Sequence, residues 1–125
     1  MIKGFEDITY ELTEKEKRIA RKVYVLIINV FRDGGTISNP EIQERIGEKS
    51  LSAPRVRKII HWLHTNGHLP YLIGTSKGYA YAETKEELLT YREGLIGRLN
   101  SLQARIDAVD RTIGTYQTPQ LKLEM

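Results

Sequence analysis

Apolar residues recur along the chain at spacings that predict one element after another. Ile19, Val23, Ile27 and Val30, with Leu26 and Phe31, repeat at intervals of three and four, the period of a helix with one face turned inward. Thr13 stands before that run and Glu16 three residues later. At this spacing a hydroxyl caps a helical amide while the carboxylate reaches back to the cap's own N–H. Gly34-Gly35 ends the pattern. The segment YVLIINVF is rich in β-branched residues, yet its place between a capping box and a glycine stop predicts a buried helix and not a strand.

Thr36-Ile37-Ser38 reads as a short extended piece. Asn39-Pro40 reads as an N-cap followed by a first-turn proline, a position where proline has no amide to lose. Ile42 and Ile46 share one face of the short helix that follows, and Gly47 stops it. Residues 48–52 form a polar connector with a buried anchor at Leu51. Ser52 caps the next helix, where Val56, Ile59, Ile60 and Leu63 make one apolar stripe before Asn66-Gly67 closes it. Two apolar and aromatic runs, 69–73 and 79–82, flank a Gly/Ser-rich turn at 74–78 and predict a hairpin.

A second capping box, Thr84 to Glu87, opens a long helix predicted to reach Ile113 and to end at Gly114. Here the stripe narrows. Leu95, Leu99, Leu102, Ile106, Val109 and Ile113 follow one another at steps of four, three, four, three and four, a heptad seam. Leu88 extends it by a heptad, and Arg92 interrupts it. The flanking positions Arg98, Gln103, Arg105 and Asp110 are polar. So narrow a seam calls for a narrow partner, most simply the same helix from a second chain. A homodimer is expected, with a higher oligomer and either helix orientation left open. The predicted organisation is an extension over 1–12, a module over 13–83, a pairing helix over 84–114 and a loose tail over 115–125.

The predicted fold class is therefore mainly α with a small β-hairpin (α+β). The order is helix, short strand, helix, turn, helix, hairpin, long helix. The stretch TISNPEIQERIGEKSLSAPRVRKIIHWLHTNGHL resembles a helix-turn-helix core, and LIGTSKGYAYAET resembles its wing. The passage from wing to coiled-coil helix in KGYAYAETKEELL is similar to small bacterial and phage winged-helix proteins. That resemblance implies double-stranded DNA as the partner, and a role in transcription regulation or in handling phage or mobile-element DNA.

Composition narrows the classes. The chain has no cysteine, which excludes disulfides and thiolate metal sites and suits a reducing compartment. The first residues show no basic-then-apolar leader, and the longest apolar stretch is too short to span a bilayer. A cytoplasmic protein is expected, in a bacterium or a phage-infected host cell. The net charge is +3, and its placement carries more information than its size. Residues 1–38 hold 7 Lys/Arg and 6 Asp/Glu, residues 39–81 hold 6 and 3, and residues 82–125 hold 6 and 7. The excess sits in the middle third, and no acidic residue occurs between Glu48 and Glu83. A surface that meets phosphate excludes carboxylates.

On the helix of residues 54–66, Lys58, His61 and Thr65 lie opposite the apolar stripe at 100° per residue, flanked by Arg57 on one side and by Arg55 and Trp62 on the other. Arg55 and Arg57 are read as contacts to guanine or phosphate, and Lys58 and His61 as probes of base edges or backbone. Ser52 and Lys49 are read as phosphate ligands at the helix start. Lys77, with Thr75 and Ser76, is read as the wing-tip contact. Trp62 is expected to pack against the wing or the first helix. His61, His64 and His68 are not spaced as metal ligands. No nucleophile–base grouping or phosphate loop stands out, so no catalysis, cofactor or small-molecule ligand is expected. The alternative from a different class is an oligomeric adaptor, such as a genome-packaging or replication accessory subunit, whose module docks onto protein.

Overall fold

The computed structural model describes residues 11–116. Its secondary structure is mainly helical with one small antiparallel hairpin, an α+β arrangement. The chain divides into two compact units, one ending at Lys85 and one beginning at Glu86. The greater part of the 1–12 extension and of the 115–125 tail lies outside the described residues.

In the first unit, α1 (Glu14–Arg32) begins at the predicted capping box. The Glu16 N–H donates to Thr13 Oγ1 at 3.1 Å, and the Thr13 N–H donates to Glu16 Oε1 at 2.9 Å. Ile19, Ala20, Val23 and Ile27 are buried along one face. α2 (Asn39–Ile46) starts one residue earlier than the sequence predicts. Ser38 is its cap, sharing a reciprocal capping box with Glu41, and Gly47 ends it in the left-handed conformation. Asn39 instead turns its amide across the structure, donating from Nδ2 to the Ala53 carbonyl at 3.1 Å. α3 (Ala53–Thr65) is capped by Ser52, whose Oγ accepts the Arg55 N–H, and it buries Val56, Ile59, Ile60 and Leu63. Between α2 and α3, Leu51 is buried as expected, and its carbonyl accepts from Gln43 Nε2 at 3.0 Å.

The hairpin is tighter than predicted. β1 (Leu72–Thr75) and β2 (Gly78–Tyr81) pair antiparallel, with Thr75 opposite Gly78, so that Ser76 and Lys77 alone form the loop. Residues 69–71 are turn and not strand, since the Leu72 N–H closes back onto the Leu69 carbonyl. On the other side of β2, Ile37 and Tyr79 exchange both backbone hydrogen bonds, at 3.0 and 2.8 Å, so the extended piece before α2 joins the sheet as a single bridge. Gly78 makes this approach possible. Its φ is +130°, and a Cβ built there would lie 2.5 Å from the Ile37 carbonyl oxygen. Leu12, Ile37, Ile42, Leu51, Leu69 and Leu72 join the helical faces in one core. Phe31 of α1 meets Tyr81 of β2 edge-on, with ring centroids 6.0 Å apart.

The second unit is α4 (Lys85–Thr115), a single helix of 31 residues with no buried side chain. At 1.5 Å per residue it is about 46 Å long. It continues through Gly114, where the sequence predicts a stop. That glycine does not take the left-handed conformation found at Gly34, Gly47 and Gly67. Among the described residues, no helix is long and apolar enough to cross a membrane.

Candidate nucleic-acid interface

The turn between α2 and α3, the outward side of α3 and the hairpin loop present most of the residues singled out from sequence. Lys49, Ser52, Arg55, Arg57, His61, Thr65, Thr75, Ser76 and Lys77 are all exposed. No acidic residue occupies the first turn of α3, so the positive end of its dipole is unopposed there. The side chains of Arg57, Lys49 and Lys77 make no ion pair or hydrogen bond among the described residues. The guanidinium of Arg55 donates from Nη1 to the Ser50 carbonyl at 3.3 Å, which holds it against the turn.

Lys58 is placed differently from its neighbours. Its ammonium donates to Glu16 Oε1 at 2.9 Å, and its side chain is only 20% exposed. The face that looks free of acid in the sequence therefore borders a carboxylate contributed by α1, 42 residues away. Glu16 is the one buried charged residue among those described, at 5% exposure. Burial pushes its carboxyl pKa up, but the Thr13 N–H and the Lys58 ammonium outweigh that and hold it below the usual carboxylate value. Lys58 thus serves to neutralise Glu16, and the cations left pointing outward on α3 are Arg55 and Arg57. Two hydroxyls are also occupied. Thr65 Oγ1 donates to the His61 carbonyl at 2.8 Å, and Thr75 Oγ1 donates to the Gly78 carbonyl at 2.8 Å, which stiffens the hairpin loop.

Two further carboxylates of this unit are held by partners. Glu48 pairs with Lys22 of α1 at 3.1 Å. Glu41 accepts from the Ser38 N–H and hydroxyl, which together lower its pKa. The Lys22–Glu48 pair has no signature in the spacing, whereas the Ser38–Glu41 pairing has one, S-x-x-E.

An open groove of about 470 Å³ runs between α1 and α3, lined by Ala20, Tyr24, Val25, Trp62, Leu63 and His68 with Lys17 and Arg21 at its edge. Trp62 stacks on His68 at 5.3 Å, and Tyr24 of α1 lies with its ring centroid 6.4 Å from that of His68; Trp62 itself is only partly buried. The groove arises because Tyr24 and Val25 sit outside the buried stripe of α1. Among the described residues, no three His, Asp or Glu side chains gather as a metal site would require. Compared with protein-family models, curated proteins and solved structures, the chain gives no significant match.

Proposed function

We propose that the first unit is a winged helix-turn-helix that binds double-stranded DNA, with α3 as its recognition helix and the hairpin as its wing, and that two chains act together through α4. The observation that carries this reading is the acid-free exposed run of Lys49, Arg55, Arg57 and Lys77 across three successive parts of one unit. Glu16, Glu48 and Glu41 are each neutralised or capped within the unit. A cationic surface of this kind gains its affinity by releasing counterions from phosphate.

His61 is suited to base edges in the major groove, and Arg57 to a guanine edge in a specific site or to a phosphate on a random duplex. Ser52, Lys49 and the amides at the start of α3 suit a phosphate. Ser76 and Lys77 suit the backbone of the neighbouring groove. Control of transcription, or handling of phage or mobile-element DNA, is the role such a molecule would serve.

The test is binding to a random-sequence duplex at low salt. Arg57→Ala and Lys77→Ala should each weaken it by about 1–3 kcal/mol, roughly 5- to 150-fold, with circular dichroism unchanged. Undiminished binding in the double variant would remove α3 and the hairpin as the contact surface. The Trp62–Tyr24 groove favours a second reading, an adaptor that docks protein on the α1–α3 side. In that case the duplex should not bind at all.

A further inference from the structure

We infer that α4 pairs with a second copy in parallel, as two strands, so that both copies of the first unit join the coiled coil at the same end. This rests on α4 as the pairing helix and is independent of DNA as the partner.

Leu95, Leu99, Leu102, Ile106, Val109 and Ile113 are each between 41% and 63% exposed on one side of a well-formed helix. The three-residue steps, Leu99 to Leu102 and Ile106 to Val109, fix the register. Leu99, Ile106 and Ile113 take the a positions, and Leu95, Leu102 and Val109 take d. β-Branched residues at a with leucine at d favour two parallel strands. This pattern holds at Ile106, Ile113, Leu95 and Leu102, but not at Leu99 or Val109.

The flanks decide orientation. In a parallel pair, each g residue faces the e residue five positions on in the partner. That juxtaposes Tyr91 with Ile96, an apolar pair, Arg98 with Gln103, a polar pair without repulsion, and Arg105 with Asp110, an oppositely charged pair. In an antiparallel pair with the same seam fully overlapped, g faces g. Arg98 then meets Arg105 twice, and Asp110 lies against Leu89. The layer that opposes the parallel pair is Arg92, at an a position across from its own copy. Its guanidinium lies 4.0 Å from Glu93 and is well exposed, and a long stem lets it reach water from that position. A single charged layer weakens a coiled coil but helps limit it to two strands.

Orientation has a functional consequence. Either orientation is two-fold symmetric, but a parallel pair brings both modules to one end of the coiled coil, which suits two neighbouring half-sites of an inverted repeat. An antiparallel pair would attach them at opposite ends of a helix about 46 Å long.

The absence of native cysteine makes the test direct. In the full chain, Leu88→Cys and Ile113→Cys should each form an interchain disulfide on their own under mild oxidation. Cross-linking only when the two variants are mixed would overturn the inference, as would a monomeric wild-type mass by light scattering. A surface variant covers the case in which a core cysteine disturbs folding. Arg105→Glu should raise the dimer dissociation constant about three- to tenfold in the parallel pair, and adding Asp110→Arg should restore it. Tighter association of Arg105→Glu alone would mean antiparallel pairing. Loss of DNA binding with cross-linking intact would count against the DNA reading only.

Discussion

Glu16 shows how much one side chain can hold together. Its carboxylate closes the cap of α1 through the Thr13 N–H and neutralises Lys58 on α3. The native state holds its pKa below the ordinary 4.5, so the folded chain takes up that proton less readily than the unfolded chain does. Glu16 therefore contributes stability that is complete above the ordinary carboxyl range and is lost as pH falls through the lower native value. Glu16→Gln should be less stable than wild type near neutral pH by about 1–3 kcal/mol, the range for a hydrogen bond to a charged group. It should also lose less stability than wild type between about pH 5 and pH 3. Equal acid sensitivity in denaturant titrations would show that this pair does not matter. Gly78 is constrained from the other direction, by both φ and the Ile37 backbone. Gly78→Ala should cost about 2–4 kcal/mol and lower the melting temperature sharply, as expected where a special backbone conformation and a steric clash coincide.

At the scale of elements, the sequence revealed what depends on near neighbours. The Thr13–Glu16 box, the Ser52 cap, the Gly47 and Gly67 stops and the inward stripes of α1 and α3 all act within about one helical turn, and all are present. What stayed hidden was set by residues far apart in sequence. Ser38 and Asn39 are both good caps. Glu41 at the right distance selects Ser38, while the Ala53 carbonyl takes the Asn39 amide. The Gly-rich stretch 74–78 suggested a loose turn. The approach of Ile37 draws Gly78 into the strand and leaves only two loop residues. Gly114 looked like a helix stop but is accommodated in an exposed helix, at a cost of about 1 kcal/mol relative to alanine. The candidate interface was legible as a list of cations but not as a geometry, because the Lys58–Glu16 pair joins residues 42 apart. The two neighbours on α3 should therefore separate cleanly. Arg57→Ala should weaken duplex binding and leave the melting temperature unchanged, whereas Lys58→Ala should lower the melting temperature by stranding a buried carboxylate.

At the scale of the whole molecule, a module with an exposed cationic surface is followed by a helix whose apolar seam is open along its length. Leu99→Asp with Ile106→Asp should give a monomer by light scattering, because a charge in each of two central layers removes the burial that drives association. A dimeric double variant would contradict the seam. The proposed recognition of the polyanionic backbone of duplex DNA is checked by the salt dependence of binding. With Lys49, Arg55, Arg57 and Lys77 each neutralising a phosphate, the logarithm of the affinity for a random duplex should fall against the logarithm of salt concentration with a slope of about −3 to −4 per protomer. Binding that is undetectable at low salt, or a slope near zero, would contradict it.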